Sequence, residues 1–367
     1  MSIALVVGTR PQIIKTAPIL HMAHHKGLDI SLIHTGQHYD YQMSQIFLEQ
    51  FSLPEPVANL NVGSGSHTFQ TAEIMLRLEK YLSREKFLIT LIPGDTNSAL
   101  AGALTSIKQD VPIAHIEAGA RCYDMKMAEE INRRLIDHCS EMLFAPTLNC
   151  KRNLERESVT GEVYLLGDTM FDAFLRFRDR ADRCDILDKL DLSDREYSLL
   201  TLHRAENVDD PAKLRSILKA IQETKISVLF PIHPRTKSRL EEHSIFLDRG
   251  LIQMIEPVGY IEMLRLQKNA KMVLTDSGGV QKEAFWSETP CITIRDRTEW
   301  TETVEMGVNL LTGADPDRII QAIRHVEEEY DQIKNRFGEN PFGDGTASEK
   351  IVEVLREKFE MHTNSHI

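Results

Sequence analysis

The chain has 367 residues, 42% of them hydrophobic, which is enough for two domains of ordinary size, each with its own core. Its formal net charge of −12 is spread along the chain and no lysine- or arginine-rich tract stands out, which argues against nucleic acid and anionic membrane as partners. Five scattered cysteines (Cys122, Cys139, Cys150, Cys184, Cys291) with no CxxC pair suit reduced thiols in a cytoplasm and argue against a zinc site.

The strand-like run "IALVVG" begins almost at once, with no basic and then apolar leader ahead of it. No apolar run approaches the roughly 20 residues of a membrane span, and a cytoplasmic protein is the expectation. A helix follows in "PQIIKTAPILHMAHHKG", with Pro11 in its first turn and Gly27 as its stop. Further strands read at "DISLIHTG", "FLITLIPGD", "VPIAHIEAG" and near "EMLFAPT", separated by segments of helical period. The second half restarts the pattern with "VYLLGD", "YSLLTLHR", "ISVLFPIHP", "LIQMIEP", "KMVLTDSGG" and "PCITIRD". Short Val-, Ile- and Leu-rich runs alternating with helices are the pattern of parallel α/β units. The expected fold is therefore two doubly wound domains with a cleft between them. Residues 1–168 form the first, residues 169–346 the second, and a closing helix at 347–362 packs back on the first.

In such sheets ligands bind at the carboxyl ends of the strands. The segments just after the strands are "GTRPQIIK", "TGQHYD", "PGDTNS", "HIEAGAR", "TLHRAEN", "PIHPRT", "TDSGG" and "RDRTEW", and they hold much of the chain's histidine, arginine and carboxylate chemistry. In "LTDSGGVQKEAFW" a strand end, the turn Ser277-Gly278-Gly279 and a helix start make a place where free backbone N–H groups can receive an anion such as phosphate. A plain tight turn is the alternative. Arg10, Lys15, Arg204, His233 and Arg235 would add positive charge for a diphosphate. Glu283, about one helical turn on, would accept from ribose hydroxyls, although a carboxylate there also favours the helix dipole. Asp95, Glu117, Glu129, Glu130 and His203 are the candidates for proton transfer. Asp95 also reads as an N-cap, and the Glu129-Glu130 pair as the first turn of a helix. The chain has no GxGxxG after a strand, no GxxxxGK[ST], no HExxH and no GxSxG, so nothing visible requires a dinucleotide cofactor, a P-loop or a metal.

Taken together, these motifs resemble the non-hydrolysing UDP-N-acetylglucosamine 2-epimerase family. The matching segments run in order through nearly the whole chain: "GTRPQIIK", "TGQHYD", "GDTNSALAGAL", "HIEAGARCYD", "EEINRRLIDH", "TLHRAEN", "IHPRTK", "EPVGY", "LTDSGGVQKEA", "RDRTEW" and "NPFGDGTASEKIV". The resemblance implies two Rossmann-like domains of the glycosyltransferase-B type, the second of them UDP-binding, a UDP-sugar substrate in the interdomain cleft, no cofactor, and a homodimer. It implies inversion at C2, interconverting UDP-GlcNAc and UDP-ManNAc by elimination and re-addition of UDP through a 2-acetamidoglucal. By motif position it puts the acid/base carboxylates at Asp95, Glu117 and Glu129 and the essential histidine at His203. Substrate or diphosphate contacts fall at Arg10, Lys15, Arg133 and His233, the phosphate turn at Ser277, Gly278 and Gly279, and the ribose contact at Glu283.

Gln12, Lys282 and Trp300 depart from the pattern and are similar to a subgroup acting on UDP-2,3-diacetamido-2,3-dideoxyglucuronate. A glutamine or lysine near the sugar in place of a glutamate removes repulsion toward that substrate's carboxylate, whereas the bland reading has Lys282 in solvent and Trp300 filling space. "QHYDYQ" keeps Gln37 and His38, but "GSGSHTFQT" lacks an arginine found in members activated by a second UDP-GlcNAc. Hyperbolic kinetics are therefore expected, and a sigmoidal rate curve would refute that. A hydrolysing relative, a glycosyltransferase and a silent UDP-sugar sensor are the rival classes.

Overall fold

The computed structural model describes residues 2–37 and 48–364, with side chains to residue 358. Its contacts divide the chain into two units, Met1–Arg176 with Pro341–Ile367, and Phe177–Asn340.

The first unit is a seven-stranded parallel sheet with strands β1 (Ser2–Val7), β2 (Ile30–His34), β3 (Ala58–Asn59), β4 (Phe87–Pro93), β5 (Ile113–Ile116), β6 (Met142–Ala145) and β7 (Glu162–Leu165). Their spatial order is β3-β2-β1-β4-β5-β6-β7. Ile3, Ala4, Leu5, Val6 and Val7 are all buried, as expected of a central strand covered on both faces, and this is why the run reads as continuously apolar. The helix Arg10–His25 starts with proline in its first turn, and Gly27 beyond its end has φ +69, so both punctuation marks act as read.

The second unit is a six-stranded parallel sheet with β8 (Ser198–Thr201), β9 (Val228–Pro231), β10 (Ile252–Ile255), β11 (Val273–Thr275), β12 (Cys291–Thr293) and β13 (Asn309–Leu311), in the order β10-β9-β8-β11-β12-β13. The helices Pro211–Glu223 and Pro316–Glu328 pack together, burying Leu214, Ile217, Leu218 and Ile221 on one and Ile319, Ile323 and Val326 on the other.

In both sheets the strand order reverses beside the first strand, between β1 and β4 and between β8 and β11. A crevice opens at such a reversal because the neighbouring connections leave in opposite directions.

"VYLLGD" does not open the second sheet. As β7 it pairs with β6 in register Met142↔Glu162 to Ala145↔Leu165, because the helix Leu148–Glu157 completes one more parallel crossover first. The two-residue strand β3 is too short to show any alternation in sequence, and β13 opens on the buried polar Asn309. The division between units falls within the helix Thr169–Asp182 rather than after residue 168. The first half of that helix is tied to the returning C-terminal segment. Asp172 accepts from Ser348 N at 2.6 Å and Ala347 N at 3.3 Å, and Asp168 N donates to Phe342 O at 2.8 Å. The terminal helix Ala347–Asn364 packs on Arg10–His25, with Lys26 3.2 Å from Glu349. Among the described residues no helix is long and apolar enough to cross a membrane.

Candidate active site

The first unit gathers its site at the carboxyl ends of β1, β4 and β5. Gln12, 1% exposed, ties two of these ends together. Its Oε1 accepts from Gly8 N at 2.9 Å and its Nε2 donates to Pro93 O at 2.8 Å. Both ends of the amide are thus spent on backbone, and a carboxylate in its place would have no proton for the Pro93 carbonyl. Gln12 is a brace between loops, which corrects its reading as a substrate-facing residue.

One helical turn on, the Lys15 ammonium contacts the Glu117 carboxylate. Glu117 has φ +71, a left-handed conformation that a non-glycine residue adopts at a cost of order 1–3 kcal/mol. Gly94, at φ +67, lies against this pair: a Cβ there would stand 3.2 Å from Lys15 Nζ and 3.5 Å from Glu117 Oε2. Next to it, Asp95 Oδ2 accepts from Arg133 Nε at 2.8 Å, and the Asp95 carbonyl accepts from Asn132 Nδ2 at 2.8 Å. Arg133, itself buried, also reaches Glu130 Oε2 at 3.2 Å. Glu130 is fully buried and accepts from Cys122 N at 2.9 Å and Arg134 Nε at 3.2 Å, so it is a structural acceptor. Glu129 is the half-buried member of the pair, and Arg10 is half-buried at the start of the helix that carries Lys15.

Beneath these loops lies a buried network that sequence reasoning missed. His115 Nδ1 is 2.6 Å from Asp137 Oδ1, and its Nε2 is 2.8 Å from Gly94 O. Asp137 Oδ2 accepts from Gly119 N at 3.1 Å and lies 2.7 Å from an Arg121 nitrogen. Arg121 in turn grips Glu157 through two bonds of 3.0 and 2.8 Å. Burial pushes the Asp137 carboxyl up, but His115 and Arg121 outweigh it and hold it below the usual carboxylate range. The same opposition, burial against Arg121, leaves Glu157 lowered as well. Two of the loops that carry site residues, at Gly94-Asp95 and Glu117-Gly119, are bolted to this network.

In the second unit the corresponding ends belong to β8 and β11. Asp276, fully buried, is a further residue that sequence reasoning passed over. Its carboxylate accepts from His203 N at 3.1 Å, Arg204 N at 3.0 Å and Asn207 Nδ2 at 3.2 Å, and its Oδ1 lies 3.1 Å from His203 Nδ1. Burial raises the Asp276 carboxyl, yet His203 and the two amides together hold it below its ordinary value. The signal was present in "TDSGG", where the aspartate closes β11 immediately before the turn.

Ser277 is the N-cap of the helix Gly278–Trp286, and its side chain makes no capping bond to the first-turn amides. His233 caps the helix Pro234–Glu242, and its Nδ1 accepts from Arg235 N at 3.2 Å. The His203 and His233 rings are 5.6 Å apart. Glu283 is buried and accepts from Gln267 Nε2 at 2.8 Å. Arg235 is engaged by Asp209, which also holds Arg239 at 3.1 Å. The structure therefore joins His203, Asp276 and Ser277 into one assembly with His233 beside it, and directs Arg235 elsewhere.

Lys282 does not point to solvent. Its side chain is fully buried, with Nζ 4.1 Å from the centre of the Trp300 ring and 6.0 Å from that of Trp286. A Cβ on Gly278 would stand 3.5 Å from Trp300 Nε1, so the indole lies against the turn itself. The two sequence departures, Lys282 and Trp300, are one packed unit. In the first unit Gln37 is buried, its Oε1 accepting from Ser98 N at 2.9 Å and Ser98 Oγ at 2.6 Å, while His38 lies outside the described residues.

Two parallel doubly wound units with acid–base side chains and an open helix start at their switch points define an α/β enzyme of the glycosyltransferase-B type. The chain belongs to the UDP-N-acetylglucosamine 2-epimerase family, whose model matches residues 21–356, and it is an isomerase of that family. It is 45% identical to a UDP-N-acetylglucosamine 2-epimerase homolog of Methanococcus maripaludis, over 97% of this chain and 99% of the relative. It is 42% identical to the UDP-2,3-diacetamido-2,3-dideoxy-D-glucuronate 2-epimerase of Pseudomonas aeruginosa, again over 97% and 99%. The crystal structure of Methanocaldococcus jannaschii UDP-GlcNAc 2-epimerase in complex with UDP-GlcNAc and UDP superposes with a TM-score of 0.91 at 43% identity, covering 97% of this chain and all of that one.

Proposed function

We propose that the protein inverts C2 of a UDP-linked 2-acetamido sugar, converting UDP-GlcNAc to UDP-ManNAc. The observation that carries this is the pairing of Lys15 with Glu117 beside Asp95 and Arg133 at the ends of β4 and β5, in a chain of this family. The C2 proton is not acidic, since no carbonyl stands next to it, so its removal has to be coupled to loss of a leaving group. A carboxylate of the Asp95, Glu117 and Glu129 set takes the proton, the C2–H electrons form the C1=C2 bond, and UDP departs with the C1–O pair. A proton then returns to the other face of C2 as UDP oxygen re-adds at C1. The sequence is redox-neutral.

In this reading the first unit performs the sugar chemistry, with Arg10, Lys15 and Arg133 orienting substrate and carboxylates. The second unit carries UDP: Ser277, Gly278 and Gly279 receive the diphosphate with His203 and His233, and Glu283 takes the ribose. Diphosphate contacts of this kind act on the leaving group and stabilise it as charge develops. Homodimer assembly and a cytoplasmic location belong to the same proposal, and sedimentation of the full chain tests the first.

The second substrate reading is UDP-2,3-diacetamido-2,3-dideoxyglucuronate. The buried Lys282–Trp300 unit against the turn favours it, as does the resemblance to the Pseudomonas aeruginosa enzyme. A proton NMR time course in deuterated water distinguishes the two. UDP-ManNAc carrying deuterium at C2 is the expected product from UDP-GlcNAc. Silence on that sugar and turnover of the diacetamido-glucuronate would transfer the assignment to the second substrate, and silence on both would overturn the epimerase reading.

A further inference from the structure

The two neighbouring imidazoles of the second unit are held by partners of opposite character. His203 Nδ1 lies 3.1 Å from Asp276 Oδ1, an oxygen that only accepts, so that nitrogen carries the proton. His233 Nδ1 receives the backbone N–H of Arg235 at 3.2 Å, so that nitrogen carries the lone pair. Neutral His203 thus presents Nε2 as an acceptor, whereas the proton of neutral His233 falls on Nε2. His203 Nε2 has no partner among the described residues, and its side chain is 39% exposed.

We propose that Asp276 is a positioning residue: it fixes His203 in the Nδ1–H tautomer, beside a His233 of the opposite tautomer, so that His203 exchanges protons with a ligand through Nε2 alone. The roles follow from the ligand chemistry and rest on the UDP-sugar reading. A ring whose Nδ1 keeps its proton can exchange only at Nε2: protonated there, it gives that proton to the departing UDP oxygen, and the neutral ring takes the same proton back as UDP re-adds. The charged groups around His203 are Asp276, Arg204 through its backbone amide and its guanidinium on the Asp276 carbonyl, and the His233 ring. Asp276 also leads directly into Ser277, so the residue that orients the imidazole is covalently joined to the anion turn.

The direct test needs no turnover. Nitrogen-15 correlation spectra of the full-length protein, taken where free imidazole is neutral, give the tautomer of each ring, with the two resonances assigned by their loss in His203→Gln and His233→Gln. The expected result is Nδ1–H for His203 and Nε2–H for His233. The same tautomer in both, or Nε2–H in His203, overturns the proposal. Asp276→Asn supplies the functional arm. Its Oδ1 can keep Arg204 N and Asn207 while its Nδ2 faces His203 Nδ1 and forces the other tautomer. We expect kcat to fall about 100-fold with the Kd for UDP little changed, and a lower melting temperature from the loss of a carboxylate whose lowered pKa stabilises the fold. Unchanged kcat, or a parallel loss of kcat and UDP binding, sinks the positioning role. Because the spectra are independent of substrate, failure of this proposal and failure of the epimerase reading give different results.

Discussion

Each unit pairs a histidine with a fully buried aspartate at the end of its central strands, and the two pairs are put to different uses. His115 is fully buried and spends both nitrogens on oxygen acceptors, Asp137 and the Gly94 carbonyl. His203 is partly exposed and spends one, on Asp276. An imidazole with both nitrogens committed inside the protein can only hold parts together. One with a free Nε2 can exchange a proton with something that arrives. The closed pair therefore belongs to the scaffold behind Asp95 and Glu117, and the open pair belongs, on the proposed reading, to the chemistry of the phosphate side.

The largest effect tests what the closed pair supports. Asp95→Asn or Glu117→Gln should lower kcat by at least about 1,000-fold, the range of positioned acid–base groups, while the Kd for UDP stays within about threefold. Near-normal turnover in either variant would remove that residue from the catalytic set. The next test crosses the two histidines. His203→Gln should cost about 100-fold in kcat with a nearly unchanged urea midpoint. His115→Gln should lower unfolding stability by about 3 kcal/mol, the cost of leaving a buried charged group without its partner. If His115→Gln kept its urea midpoint and His203→Gln lost it, the comparison would be inverted.

The aspartates sharpen the comparison through pH. Both Asp137 and Asp276 are held below the ordinary carboxyl value. A lowered folded-state pKa adds stability that is present above the unfolded value and lost as pH falls through the folded one. The melting temperature should thus drop as pH falls below about 4, and the drop should be shallower in Asp137→Asn, which has no carboxylate to protonate. An equally steep acid limb in that variant would place the acid sensitivity elsewhere.

The sheets were legible because strands covered on both faces cannot hide their apolar runs, as in Ile3–Val7. β3 was not, being two residues long, nor was β13, which opens on the buried polar Asn309, and β7 was misplaced because a strand's sheet is settled by pairing rather than by its own sequence. The ends of the strands pointed to Asp95, Glu117, His203 and Ser277, since position in a parallel sheet predicts where ligands lie. What stayed hidden is what depends on partners distant in sequence. His115 and Asp137 are 22 residues apart, His203 and Asp276 are about 73 apart, and nothing local distinguishes Asp276 from a turn aspartate. Sequence left Lys282 open between solvent and the sugar, because its burial against Trp300 is set by packing.

The smallest expected effect falls on Ser277. Its hydroxyl makes no capping bond, and its N–H is held at 3.0 Å by Thr275 Oγ1, so Ser277→Ala removes nothing that the helix Gly278–Trp286 uses for its own stability. If the hydroxyl faces the diphosphate, its loss costs one hydrogen bond to a charged group, about 1.5–3 kcal/mol at most and less where water replaces it. A weakening of UDP binding by about tenfold, with kcat at saturation and the melting temperature unchanged, is the expected outcome by calorimetry and steady-state kinetics. Unchanged UDP affinity would leave the backbone amides of the turn as its whole contribution and separate the anion site from the serine that precedes it.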